Sequence, residues 1–203
     1  MSTTPNKTVG VTLGSLSWQQ VNSKQVVYES GIDVSTVWGI AVNYQLGRGT
    51  STAFTASPNL VVQASAAASG NGKWTDIYSY PMSLGASVAN TAVNTGISAG
   101  GTQVVVNSAS NIAAGDKLFL GHTTTPSNYE IVRVKDVVST TVHFWFPCEK
   151  AHDTGAIVTD QAEDNFAVLG VENYKRIQIV IDNSGGGQRL FGEVIVNRLD
   201  SIG

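Results

Sequence analysis

The sequence predicts an all-β fold, an antiparallel β-sandwich of jelly-roll type carrying a small inserted β-barrel or sandwich module. Three observations predict it. Apolar residues recur at every second position through most of the chain, and no helical stripe runs longer than a turn or two. Between the runs, Gly, Asn, Asp and Pro gather where the backbone must reverse. At 203 residues the chain fits one large all-β domain or two small ones. A chain of that size buries about 70 % of its unfolded surface, enough for a core without metals or disulfides.

The elements follow in order. Residues 11–18 supply a first strand, and "KQVVYESGIDVSTVWGI" adds one or two more, broken at Gly31. In "GIAVNYQLGRG" strict alternation places Ile40, Val42, Tyr44 and Leu46 on one face and Ala41, Asn43 and Gln45 on the other, a half-buried strand. "NLVVQASAAASGNGKWTDIYSYP" reads as a strand through Ser65, a turn at 69–72, and a return strand carrying Trp74, Ile77 and Tyr78 that ends at Pro81. "SLGASVANTAVNTGISAGGT" has small polar residues and no strong period, and reads as a connection.

From Thr102 the strands resume in a tighter rhythm. "TQVVVNSAS" gives one, "AAGDKLFLGH" a turn and another, and "YEIVRVKDVVSTTVHFWFPCEKAHDTGAIV" three more. Val132 and Val134 alternate with Arg133 and Lys135, and Val142, Phe144 and Phe146 alternate with His143 and Trp145. "DQAEDNF" reads as a polar connector with at most one helical turn. The last pattern, "IVIDNSGGGQRLFGEVIVNRL", reads as a hairpin: two β-branched runs around Asp182, Asn183 and three glycines. The sequence therefore divides into a discontinuous outer sandwich, 1–97 and 161–203, and an inserted module, 98–160.

Composition narrows the function. A net charge of -3, with Lys and Arg scattered singly, leaves no electrostatic footprint for nucleic acid or anionic lipid. No run approaches the roughly 18 apolar residues of a membrane-spanning helix, and "MSTTPNKTVG" lacks the features of a secretion signal, so synthesis in a cytoplasm is expected. Only 13 % of residues are charged, against about 25 % in an ordinary soluble domain. An exterior of Ser, Thr, Asn, Gly and Ala suits a protein that other subunits partly cover.

The chemistry-bearing residues are few. The single Cys148 cannot pair within the chain, and Pro147 beside it fits packing better than nucleophilic chemistry. His122, His143 and His152 show no Cys or carboxylate at ligand-like spacing, so no metal is expected, and nothing marks a cofactor. "GGGQR" lacks the helix and the Lys-Ser/Thr of a phosphate cradle, and no G-x-S-x-G elbow is present. Acidic residues are dispersed, and no catalytic residue is assigned; only a spatial pairing of carboxylates in one groove would revive a hydrolase reading. Trp18, Trp38 and Trp74 stand among apolar neighbours and are assigned to packing. The outward Trp145, with His143, Tyr129 and Asn128, forms the candidate interaction surface, either for another subunit or for a glycan stacked on the indole.

"IAAGDKLFLGH", "SNYEIVRVKDV" and "STTVHFWFPCEKAHDTGAIV" together resemble a small β-module of tailed-bacteriophage virion proteins: a Gly-Asp turn, a Glu-x-Val-x-Val strand, a Thr-Val strand ending near proline, and Ala-His followed by Gly and Val. The flanking strands are similar to those of phage head-decoration, or cement, proteins. "FWFPCEKAH" departs from the pattern, which carries aliphatic residues there. The resemblance implies a non-enzymatic virion protein, made in the host cytoplasm and placed on the capsid surface. There it would stiffen the shell as a homo-oligomer, a trimer foremost, by bridging major capsid protein subunits, with residues 1–8 as an arm that orders on docking. A receptor- or carbohydrate-binding module of a tail or baseplate is the alternative.

Overall fold

The structure, a computed structural model, describes residues 12–69, 73–82, 88–185 and 189–199. The predicted N-terminal arm and most of the turn at 69–72 lie outside them. In chain order the described strands are β1 (Thr12–Val21), β2 (Lys24–Asp33), β3 (Gly39–Arg48), β4 (Asn59–Ser65), β5 (Thr75–Pro81), β6 (Asn90–Thr95), β7 (Gln103–Val106), β8 (Lys117–Leu120), β9 (Glu130–Val138), β10 (Thr141–Phe144), β11 (Ile157–Thr159), β12 (Ala162–Gly170), β13 (Arg176–Asp182) and β14 (Leu190–Leu199), with one 3-10 turn at Pro126–Asn128. The protein is all-β, as its two-residue periodicity requires.

Two four-stranded antiparallel sheets, ordered β1-β14-β3-β12 and β2-β13-β4-β5, face one another, and β6 to β11 close into a six-stranded barrel ordered β10-β7-β6-β11-β8-β9. Alternation explains how the sandwich core forms. Ile40, Val42, Tyr44 and Leu46 of β3 are buried, and they pack in one cluster with Leu60 and Val62 of β4 and Ile177, Ile179 and Ile181 of β13. The barrel holds its own core of Val93, Val104, Val106, Leu118, Leu120, Val132, Val134, Val142 and Phe144. Gly115 adopts φ +94 at the turn before β8, a conformation that strains other residues, and its N–H donates to the Val134 carbonyl.

A third cluster joins the two bodies. Phe119 lies between Leu118 and Leu120 on β8, so it points away from the barrel interior; it is buried instead with Trp18 of β1 and Ala162, against Tyr129 and Phe191. Arg48, fully buried at the end of β3, ties the crossings of the chain. Its guanidinium donates to the carbonyls of Thr50 and Ala89 and lies 3.8 Å from Asp160, so the segment entering the barrel and the one leaving it meet at the same cation. Burial lowers the Arg48 pKa and raises that of Asp160. Thr159 Oγ1 donates to the Arg48 carbonyl at 2.7 Å, which closes the junction.

Four sequence expectations need correction. The terminal hairpin does not form: β13 pairs with β2 and β4, whereas β14 pairs with β1 and β3, so the intervening chain crosses from one sheet to the other. The connection before Thr102 contains β6, which pairs with β7 and β11 and contributes Val93 to the barrel core. "DQAEDNF" is no connector but the first half of β12, an edge strand, where one covered face is sufficient and outward positions can be polar. Trp38 is 53 % exposed, since it stands just ahead of β3, outside the strand whose alternation would turn it inward.

Candidate functional site

The outward side chains of β3 begin the site. Because Tyr44 and Leu46 face the core, Asn43 and Gln45 must face out, and the register sets their neighbours. Gln45 pairs with Asp164 of β12 on one side and Glu193 of β14 on the other; Asn43 pairs with Phe166 and Ile195 in the next row. Two carboxylates thus flank one amide across three strands, with roughly 10 Å between the outer Cα atoms at ordinary strand spacing.

The barrel stands over this face. Between them lies a groove of about 910 Å³, walled on the barrel side by Tyr129, the first residues of β9 and the segment carrying Phe146, Pro147, Glu149 and Lys150. Its size is that of a small-molecule or oligosaccharide site. Aromatic packing makes the floor rigid: Tyr129 meets Trp18, Phe119 and Phe191 edge-on, with ring centroids 4.9 to 6.1 Å apart. Phe146 and Phe166 remain 76 % and 64 % exposed at the walls. Surrounding protein raises the carboxyl pKa of both Asp164 and Glu193, through desolvation first, with Glu163 and Glu149 as like-charged neighbours opposed by Lys117 and Lys150. Glu163 is engaged already, in an ion pair with Lys117 at 2.5 Å.

Of the four residues singled out from sequence, Tyr129 alone is in the groove lining. Asn128, half-buried in the 3-10 turn, directs Nδ2 to the Ala151 carbonyl at a long 3.4 Å. His143 Nδ1 lies 2.5 Å from Asp136 Oδ1, its cross-strand neighbour on β9. Trp145 is 57 % exposed and outward, outside the groove lining. Phe146, predicted to be inward, is instead in the open. The ladder of β10 with β9 slips between His143 and Phe144, and the strand ends at Phe144, so the alternation does not continue.

The fold also assembles a buried cluster that the spacing of the chain conceals. Ligand-type atoms of Glu130, Cys148 and His152 lie within 4.8 Å of one another. Spacing along the chain gives no sign of this cluster, because the fold and not the sequence interval brings the three together. These three residues could hold a metal, but they are already saturated by hydrogen bonds. Glu130 accepts from the backbone N–H groups of Glu149 and Lys150 at 2.9 and 3.2 Å, and it meets His152 Nε2 at 2.6 Å. The Cys148 thiol also bonds Glu130, and its pKa is pushed up to about 12, chiefly by burial. The cluster reads as a clamp that ties the segment after β10 to the barrel.

No protein-family model matches the chain, and no curated protein matches it. Among solved structures it is similar to the Gp54 tailspike of Acinetobacter baumannii bacteriophage AP22, in complex with A. baumannii capsular saccharide, at 24 % identity over 39 % of this chain and 15 % of that one, with TM-score 0.32. It is similar to the tailspike gp49 from Pseudomonas phage LKA1 at 24 % identity over 36 % of this chain and 14 % of that one, with TM-score 0.31. It is also similar to VP2 of the infectious bursal disease virus subviral particle at 12 % identity over 98 % and 82 % of the two chains, with TM-score 0.24. The chain spans about a seventh of either tailspike. All three neighbours belong to viruses, and likeness at these scores carries no argument about the role of this chain.

Proposed function

We propose that this chain is a non-enzymatic structural protein of a virus particle, of the capsid-decoration type, which docks on the shell and bridges neighbouring subunits as a homo-oligomer, a trimer foremost. The supporting observation is the outward side of edge strand β12. Val168 is 58 % exposed there, two residues from the exposed Phe166, and the Val171 N–H donates to the carbonyl of Trp38, itself half in water. An unpaired strand edge beside exposed aromatic and aliphatic side chains suits a covered surface better than a bare one. The scarcity of charge points the same way. Many such contacts of modest area, repeated over a particle, sum by multivalency.

The experiment is co-sedimentation with particles together with mass measurement in solution. The wild type is expected to be oligomeric and to pellet with particles, whereas Trp38→Ser with Val168→Ser should stay in the supernatant with an unchanged circular dichroism spectrum. A monomer that never pellets would overturn the reading.

A further inference from the structure

We propose that the groove between the β1-β14-β3-β12 sheet and the barrel binds a neutral oligosaccharide, with Gln45, Asp164 and Glu193 bonding its hydroxyls and Phe146 packing on its ring. This goes beyond a structural role and does not depend on it.

Four features carry the inference. The first is unused hydrogen-bonding capacity. Among the described residues, the side chains of Asn43 and Gln45 and the carboxylates of Asp164 and Glu193 have no hydrogen-bonded partner in the protein, although they stand side by side on adjacent strands. Glu163, next in sequence, is tied to Lys117, and the Glu130 carboxylate is filled by backbone N–H groups, so those two acids beside the row are already engaged. Second, the donor and acceptor types suit hydroxyls. A hydroxyl both donates and accepts; two carboxylates accept, and the amide between them does both.

Third, other ligands fit poorly. The acids of the lining, Glu130, Glu149, Asp164 and Glu193, outnumber its cations, Lys117, Arg133 and Lys150, so no excess of positive charge draws phosphate or another anion to it. A peptide cannot add as a strand to β3 or β14, because both are paired on either side, and of the strands carrying the polar row only β12 has an open outer edge. An apolar ligand would strip water from two carboxylates without replacing their hydrogen bonds. Fourth, Phe146 offers an exposed aromatic ring at the wall over a floor braced by the Trp18, Tyr129, Phe119 and Phe191 packing, which holds the polar row in place before any ligand arrives.

The test is a printed array of microbial polysaccharides, neutral glucans and mannans beside carboxylated and sulfated glycans, followed by calorimetry with the best neutral binder. The wild type is expected to retain neutral glycans. Loss of a charged hydrogen bond in Glu193→Gln or Asp164→Asn should weaken affinity about tenfold or more, and Gln45→Ala or Phe146→Ala should do likewise, with unfolding midpoints kept as a control for folding. Retention by anionic glycans alone, by none, or with unchanged affinity in all four variants overturns the proposal. Val168 lies outside the groove, so the Trp38→Ser, Val168→Ser variant should bind glycans as the wild type does. Failure of particle docking and failure of glycan binding are therefore separate results.

Discussion

His152 Nε2 lies 2.6 Å from Glu130 Oε1, while His152 Nδ1 faces the Gly121 carbonyl at 2.7 Å. A carbonyl only accepts, so Nδ1 carries a proton, and the other nitrogen and the carboxylate share one more between them. Glu130→Ala leaves His152 Nε2 and the backbone N–H groups of Glu149 and Lys150 without the carboxylate they meet. Breaking a buried pair this way costs about 3–5 kcal/mol, and Glu130→Gln, which keeps part of the network, should cost less. Urea denaturation measures both; a loss under about 1 kcal/mol for the alanine variant would contradict the clamp.

Cys148 is buried, and its thiol is held far from the reactive thiolate form by that burial and by Glu130. Iodoacetamide at neutral pH should leave the native protein unlabelled for hours and modify it promptly in denaturant. Rapid labelling of the folded protein would show that the segment after β10 opens readily.

Gly47 lies beneath the Phe119 ring, so close that an added Cβ would enter the ring itself, and Gly49 stands likewise against Phe191. The two rings stack at 6.0 Å with an interplanar angle of 9°. Gly47→Ala must push Phe119 aside, at an overpacking cost of about 1–3 kcal/mol. Trp18, 5.6 Å from Phe119, reports the shift. A lower unfolding midpoint with altered tryptophan emission is expected; unchanged emission would show that the ring stack yields elsewhere.

Asp164 and Glu193 hold protons more tightly in the folded chain than in the unfolded one, because desolvation raises both. The folded state is therefore favoured at low pH, and this contribution fades as pH rises from the ordinary values of 3.8 and 4.5 through the raised ones. In the Asp164→Asn, Glu193→Gln variant that slope is gone. Relative to the wild type, the variant should gain stability across the acid window and hold a constant margin above it. Denaturation at stepped pH checks this, and a margin independent of pH throughout would refute it.

The faces of strands were legible in the sequence, while their partners were not. Alternation placed Ile40, Val42, Tyr44 and Leu46 inward correctly, since period two is a local property. The run from Ile179 to Leu199 shows the limit. A glycine-bearing link permits either a hairpin or a crossing between sheets, and the two give the same inward pattern. The groove is hidden for the same reason: Gln45, Asp164 and Glu193 become neighbours only through ladder register. Glu130, Cys148 and His152 meet by barrel closure, with no recognisable spacing in the chain. Phe146 was misplaced because a register slip reverses faces without leaving a mark in composition.

The Arg48 junction has a mechanical corollary. Both passages of the chain between barrel and sandwich are cinched at one buried guanidinium on β3, a strand bonded on either side. A pull on the barrel therefore reaches the interior of the sheet directly instead of stretching two slack tethers, and the protein should answer a load as a single stiff lever.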